Sequence, residues 1–121
     1  MGNNLEESLE IPKVSIPDEG EFRFVLVKGS TGKNYLYGTK YFLSHQSVLE
    51  YGFLNNMARR GLDASHFTCV GGGSMIVDND RKLIYASGES MEYGKFERYV
   101  VRSLLEKYAD EKMKGYSVKV E

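Results

Sequence analysis

His45 is the first of three side chains in this sequence that could do chemistry. It lies in the segment FLSHQS, where a predicted strand ends and a predicted helix begins. Helix N-termini carry unpaired N–H groups and a partial positive charge, so such a junction favours an anion. A histidine beside an anion-binding cluster of amides can act as the base of a hydrolysis. A lone histidine is also commonly a surface or capping residue, and both interpretations stay open at this point.

Ser90 and Arg23 are the other two candidates. Ser90 lies in the segment SGESMEYG, where a tight turn with Gly88 and Gly94 followed by a helix start would bind an anion through the serine hydroxyl and backbone N–H. The alternative is that Ser90 only caps the helix. Arg23 stands at the start of a buried strand. Its guanidinium would clamp a phosphoryl group in two places, or simply extend into water as strand-end cations usually do.

Other chemistries find little support in the sequence. The residues around Ser90 lack the last glycine of a G-x-S-x-G nucleophile elbow, and the segment GSTGK (29–33) is too short between its glycines for a P-loop. The only soft metal ligands are His45, His66 and Cys69, which excludes a tetrahedral Cys/His zinc site, and we predict no cofactor. Glycines 71–73 are interpreted as a bulge or a close backbone approach, and Cys69 as inert core.

The composition is that of an ordinary globular domain. The chain has 121 residues, 16 of them basic and 17 acidic, for a net charge of −1. We predict one domain over residues 11–121 after a polar, acidic segment at 1–10 that is predicted to be disordered. The charge balance argues against nucleic-acid binding, and neither a membrane-spanning run nor a signal peptide is visible. Because one cysteine suits a reducing compartment, we expect a cytoplasmic protein. We also expect a monomer.

The elements in the first half of the chain change from strand to helix period. Strands are predicted at 22–28 and 35–42, and apolar residues on both faces of the first strand indicate that it is covered on both sides. An amphipathic helix is predicted at 44–60, with Ser47 and Glu50 as its capping box and Gly61 as its end. The predicted apolar arc of this helix comprises Leu49, Tyr51, Phe53, Leu54, Met57 and Ala58, with Gly52 on the opposite side.

The second half of the chain returns to strands and adds one helix. Strand character is predicted at 66–73, a hairpin at 74–87, and a last strand at 116–120. Apolar residues at a spacing of four, from Phe96 to Tyr108, predict the second helix between them. The predicted fold is therefore α/β (α+β): a single domain with a central mixed sheet of about six strands and one helix on each face.

Several short motifs occur in the order found in a known family. They are the early pattern IP…I…D.G.F..VL, SHQ before the first helix, CVGGG, the hairpin strand KLIYASG, and SMEYG at the predicted opening of the last helix. Together they cover about residues 11–120 and resemble the Janus/Ocnus family of phosphohistidine phosphatases. The resemblance implies a metal-independent hydrolase that removes phosphate from phosphohistidine-containing proteins, on a mixed sheet flanked by two helices.

The resemblance also implies roles for individual residues. The catalytic histidine of the family falls on His45, and its phosphate-positioning lysine falls on Arg23, where a planar fork replaces a point charge. The phosphate-holding serine falls on Ser90. A neighbouring position that offers a backbone N–H falls on Glu92, whose carboxylate is expected to repel a dianion unless it turns outward.

Residues and resemblance together give an expected mechanism. His45 would take a proton from water, or would itself carry the phosphoryl group for part of the cycle. The predicted phosphate-binding residues are Arg23, Ser44, Ser90, Met91 and Glu92, the last two through their amides. The alternative function is a non-catalytic module that binds phosphoproteins in the same pocket.

Overall fold

One mixed sheet forms the centre of the computed structural model, which describes residues 10–121. Its strands are β1 (Val14–Ser15), β2 (Gly20–Gly29), β3 (Asn34–Thr39), β4 (Phe67–Asp78), β5 (Leu83–Ser87) and β6 (Ser117–Val120). They lie in the order β1-β3-β2-β4-β5-β6, antiparallel in the middle and parallel at both edges. The predicted mixed sheet of about six strands is confirmed. Apart from Glu10, the segment predicted to be disordered lies outside the described residues.

Two helices cover the sheet. Helix α1 is continuous through an α-helical start (His45–Ser47), a π-helical centre (Val48–Phe53) and an α-helical end (Leu54–Arg59). Helix α2 is Arg98–Lys112, and a short 3₁₀ turn lies at Ala64–His66.

The two ends of α1 agree only in part with the prediction. Ser44 is its N-cap, because the Ser44 hydroxyl accepts a hydrogen bond from the Ser47 amide at 3.0 Å. The predicted Ser47–Glu50 capping box is therefore wrong, since Ser47 already has helical backbone angles. The predicted end is confirmed: the chain leaves the helix at Gly61, whose φ is +90°.

The π-helical centre changes which residues of α1 face the sheet. A π turn holds more residues than an α turn, so the positions after it rotate relative to a regular helical wheel. Tyr51 and Ala58, predicted on the apolar arc, are exposed, and the exposed fraction of Tyr51 is 64 %. Gly52, predicted on the polar side, is buried, and a Cβ there would lie 2.6 Å from the Tyr37 ring. The predicted arc is therefore wrong at these three positions.

The sheet separates two apolar cores. Alternate residues of β2 serve them in turn, because successive strand side chains point to opposite faces, and this confirms the prediction that β2 is covered on both sides. The core under α2 comprises Phe22, Phe24, Leu26, Leu36, Met75, Val77, Ile84, Ala86, Phe96, Val101, Leu105, Ala109 and Val120. The core under α1 comprises Val25, Val27, Tyr35, Val48, Leu49, Phe53, Met57, Leu62 and Phe67. One helix on each face is thus confirmed.

Strand β4 runs without a break through the three glycines 71–73. It spans both the predicted strand at 66–73 and the first arm of the predicted hairpin. The register shifts between Leu26 and Val27 of β2, which pair with Gly71 and Cys69 and leave Val70 as an extra residue. The bulge, one of the two predicted alternatives, thus lies just before the three glycines, and the other alternative, a close backbone approach, occurs at Gly71. Strand β3 ends at Thr39, earlier than predicted, because the Thr39 hydroxyl accepts a hydrogen bond from the Tyr41 amide and turns the chain.

Gly71 provides a test of how closely backbone packs on β4. A Cβ at Gly71, where φ is +151°, would lie 2.6 Å from Cα and 2.8 Å from N of Phe96. Gly115 also has a positive φ, of +88°, but nothing within 4 Å of its Cβ position. We expect Gly71→Ala to lower the free energy of unfolding by about 3 kcal/mol, against about 1 kcal/mol for Gly115→Ala. Chemical denaturation measures both, and equal losses would contradict the packing argument.

Candidate functional site

The imidazole of His45 is held in one orientation by the backbone of β4. His45 is the first residue of α1 and is only 7 % exposed. Its Nε2 lies 2.9 Å from the carbonyl oxygen of Gly73. A carbonyl oxygen can only accept, so Nε2 carries a proton and donates it. In the neutral ring the lone pair is therefore on Nδ1, which is the nitrogen able to accept a proton or attack an electrophile.

Ser90 lies in a small closed turn that is fixed to the same strand. The turn is closed by hydrogen bonds from the Ser90 amide to the Gly94 carbonyl, at 3.1 Å, and from the Gly94 amide to the Ser90 carbonyl, at 2.9 Å. The Gly94 carbonyl also accepts from the Gly72 amide at 3.2 Å, and Lys95 forms a β-bridge with Gly72. Residues 90–94 are thus attached directly to the centre of β4.

Gly72 is the point where His45 and Ser90 meet. A Cβ on Gly72 would lie 2.8 Å from Cδ2 of His45 and 3.2 Å from Cβ of Ser90. A side chain at this position would collide with His45 and press tightly on Ser90. The two candidates are therefore neighbours across one glycine, although 45 positions in sequence separate them.

The hydroxyl of Ser90 is buried and fully hydrogen-bonded. It accepts from the amides of Glu92 and Tyr93 at 3.1 and 3.0 Å, and it donates to Oε1 of Glu92 at 3.2 Å. The expectation that a helix starts here is wrong, since α2 begins only at Arg98. Ser90 caps a turn instead, because Gly94, with a φ of +82°, leads the chain into its bridge with β4. The exposed Glu92 side chain bends back so that its carboxylate meets this hydroxyl.

The two amides predicted to hold an anion differ in their surroundings. The Glu92 amide already donates to Ser90 Oγ. For the Met91 amide, no acceptor is found within residues 10–121, and the Met91 side chain is 99 % exposed. Ser44, also predicted to bind phosphate, uses its hydroxyl within α1, since it accepts from the Ser47 amide and donates to the Ser47 hydroxyl.

Arg23 lies in an adjoining pocket. It is exposed and pairs with Ser74 of β4, next to the carbonyl that holds His45. By strand alternation it faces the same side of the sheet as Val25 and α1. The pocket has a volume of about 270 Å³ and is lined by Glu21, Phe22, Arg23, Thr39, Lys40, Phe42, Leu43 and Ser74. The structure therefore brings together His45, Ser90 and Glu92. Arg23 lies two positions further along the strand, at the pair with Ser74.

Two contributors to this surface are absent from the sequence prediction. Lys40 shares the Arg23 pocket, and its Nζ lies over Gly20 of β2. Gly73 orients the histidine through its carbonyl. Three glycines inside a strand do signal a close approach, but nothing in the sequence indicates what approaches.

The other reactive side chain on β4 is the thiol of Cys69. Cys69 is half-buried in β4, and burial raises the pKa of its thiol to about 11, which agrees with an inert core cysteine. Among the described residues, no three His, Cys, Asp or Glu side chains converge as metal ligands. No helix in that part of the chain is long and apolar enough to cross a membrane.

The fold and site define an α+β domain in which a buried, backbone-held histidine adjoins a serine-capped turn. A comparison with known protein families matches residues 8–114 to the Janus/Ocnus family. The match covers most of the chain, which therefore belongs to the Janus/Ocnus family. A search of curated proteins finds no significant match.

The two histidines are expected to be opposite tautomers. His45 donates from Nε2 to a carbonyl, whereas His66 places Nδ1 3.3 Å from the carbonyl of Asp63. In their neutral forms His45 should carry its proton on Nε2 and His66 on Nδ1. Long-range ¹H–¹⁵N NMR at alkaline pH distinguishes the two nitrogens of each ring. A His45 ring protonated on Nδ1 would contradict the geometry on which its chemistry rests.

Proposed function

We propose that this protein is a protein phosphohistidine phosphatase, with His45 as the base that activates water. The observation that carries the proposal is the hydrogen bond from His45 Nε2 to the Gly73 carbonyl, because it leaves Nδ1 as the acceptor of a ring that adjoins Ser90 across Gly72. Membership of the Janus/Ocnus family supports the proposal as well.

The proposed reaction needs one bond made and one broken. Nδ1 of His45 takes a proton from water while the water oxygen bonds to phosphorus. The P–N bond then breaks, and the leaving imidazole nitrogen takes the proton that His45 Nδ1 received, which returns His45 to its neutral form. Charge grows on the phosphoryl oxygens, so catalysis depends on donors that face them. In a two-step variant Nδ1 attacks phosphorus directly, and water then hydrolyses phospho-His45.

Arg23 is the proposed cation of this site. It is separated from the Val25–Gly72 pair by two positions along the strand, or about 7 Å, which an extended arginine side chain spans. Its planar guanidinium would hold two phosphoryl oxygens at once. Lys40 lines the same pocket, but its Nζ lies over Gly20, five residue pairs along β2 from Val25 and Gly72.

A protein rather than a small metabolite is the proposed substrate. Three large apolar side chains next to the site residues are almost fully exposed: Tyr41 at 89 %, Leu43 at 83 % and Met91 at 99 %. Tyr41 and Leu43 precede His45, and Met91 follows Ser90. Exposed apolar groups around a reactive centre favour contact with the surface of another protein.

His45→Ala is expected to lower the rate of phosphohistidine hydrolysis about a hundredfold or more, the usual contribution of a general base. Release of phosphate from a phosphohistidine peptide measures the effect, with and without a chelator. His66→Ala is the matched control, because His66 lies in the 3₁₀ turn and is expected to leave the rate unchanged.

The same assay separates catalysis from binding alone. Phosphate release that is insensitive to chelator and lost in His45→Ala supports the phosphatase. Tight binding of the phosphopeptide by the wild-type protein without release would instead identify a phosphoprotein-binding module. Equal turnover by His45→Ala and the wild type would remove His45 from its role.

Arg23→Ala is expected to raise KM about tenfold with a smaller change in kcat, since a cation that positions the phosphoryl group stabilises ground state and transition state alike. Arg81→Ala is the control, because Arg81 is an exposed cation in the turn between β4 and β5. Steady-state kinetics measure both. Unchanged kinetics in Arg23→Ala would leave Arg23 as a solvated charge on the sheet.

A further inference from the structure

The Ser90 hydroxyl has no hydrogen-bonding capacity left for a ligand. A hydroxyl offers one proton and two lone pairs. Both lone pairs are used by the amides of Glu92 and Tyr93, and the proton goes to Oε1 of Glu92. A phosphoryl oxygen could receive that proton only after the carboxylate has moved away.

We propose that Glu92 is an internal ligand of the phosphoryl subsite, which its carboxylate occupies until a phosphorylated substrate displaces it. The inference rests on the proposed function, because it takes Ser90 as part of that subsite. A carboxylate oxygen and a phosphoryl oxygen are both anionic acceptors, so they compete for the same donor.

Displacement needs no change in the backbone. The Glu92 side chain is exposed and can rotate into solvent, while the Glu92 amide, which caps the turn with Ser90, stays in place. The carboxylate still opposes an incoming dianion by like charge. Burial raises the pKa of the Tyr93 phenol, and the charges of Cys69, Glu50 and Glu92 raise it further. Glu50 is therefore a second carboxylate near the turn.

The consequence is selectivity against small free anions. Inorganic phosphate has only its own oxygens with which to compete against Glu92. A phosphorylated protein adds contacts to exposed side chains such as Leu43 and Met91, and these offset the cost of moving the carboxylate. Glu92 thus weakens both complexes by the cost of its displacement, and only the phosphorylated protein, with its further contacts, still binds tightly.

The affinity of the full-length protein for inorganic phosphate, measured by NMR titration or calorimetry, tests this role. We expect Glu92→Ala to lower the Kd for phosphate about tenfold, because it removes both the competing acceptor and the charge. Glu92→Gln should give part of that gain, since the amide oxygen still accepts from Ser90 but carries no charge. Glu89→Gln is the matched control, because it removes an exposed carboxylate three residues before Glu92.

The outcomes separate this inference from the proposed phosphatase activity. No tightening in Glu92→Ala, no detectable phosphate binding by that variant, or equal tightening in Glu89→Gln would overturn the role of Glu92. Hydrolysis of a phosphohistidine peptide is measured in parallel. Turnover without a change in phosphate affinity leaves the phosphatase intact and removes the internal ligand. Tighter phosphate binding by Glu92→Ala without turnover in any variant supports the internal ligand and contradicts the phosphatase.

Discussion

The site depends on three consecutive residues of β4 that have no side chains. Gly72 makes room on the α1 face, where His45 and Ser90 close over it. Gly71 and Gly73 make room on the opposite face, where the backbone of Phe96, its ring and the Ser87 carbonyl approach closely. These three residues without side chains therefore let the segment after β5 pass from the α1 face to the α2 face. They also let the N-terminus of α1 pack against β4. A single methyl group on any of the three would displace the elements that carry the candidate residues.

The same backbone also determines the chemistry of the histidine. An imidazole is a base or a nucleophile only at the nitrogen that lacks a proton, and the Gly73 carbonyl assigns the proton to Nε2. The Ser44 cap and the start of α1 fix where the ring enters. Orientation and tautomer thus come from main-chain groups of β4 and from the helix cap.

The sequence predicts the parts of the fold that local patterns determine. Apolar residues on both faces of β2 predict a strand covered on both sides, and Gly61 predicts the end of α1, because each signal lies within a few residues. The phase of α1 is not predicted, since its π turn accompanies the packing of Gly52 on Tyr37, a contact across the fold. The turn after Ser90 resembles a helix start in sequence, yet hydrogen bonds between Ser90 and Gly94 close it, and a bridge between Gly72 and Lys95 attaches it to β4. The contact of the Glu92 carboxylate with the Ser90 hydroxyl likewise depends on how that loop closes.

The two halves of the site are prepared to different degrees. The base is preorganised: its ring is buried, its tautomer is assigned and its hydrogen-bond partner is backbone. The donors for an anion are not, because the Ser90 proton is held by Glu92 and Arg23 is an exposed side chain in the next pocket. Preorganised donors stabilise developing charge without reorganisation, whereas donors that must first exchange partners spend part of the binding energy on rearrangement. In the proposed reaction, the binding of the phosphoryl group, rather than the activation of water, is therefore the step that depends most on Arg23 and Glu92.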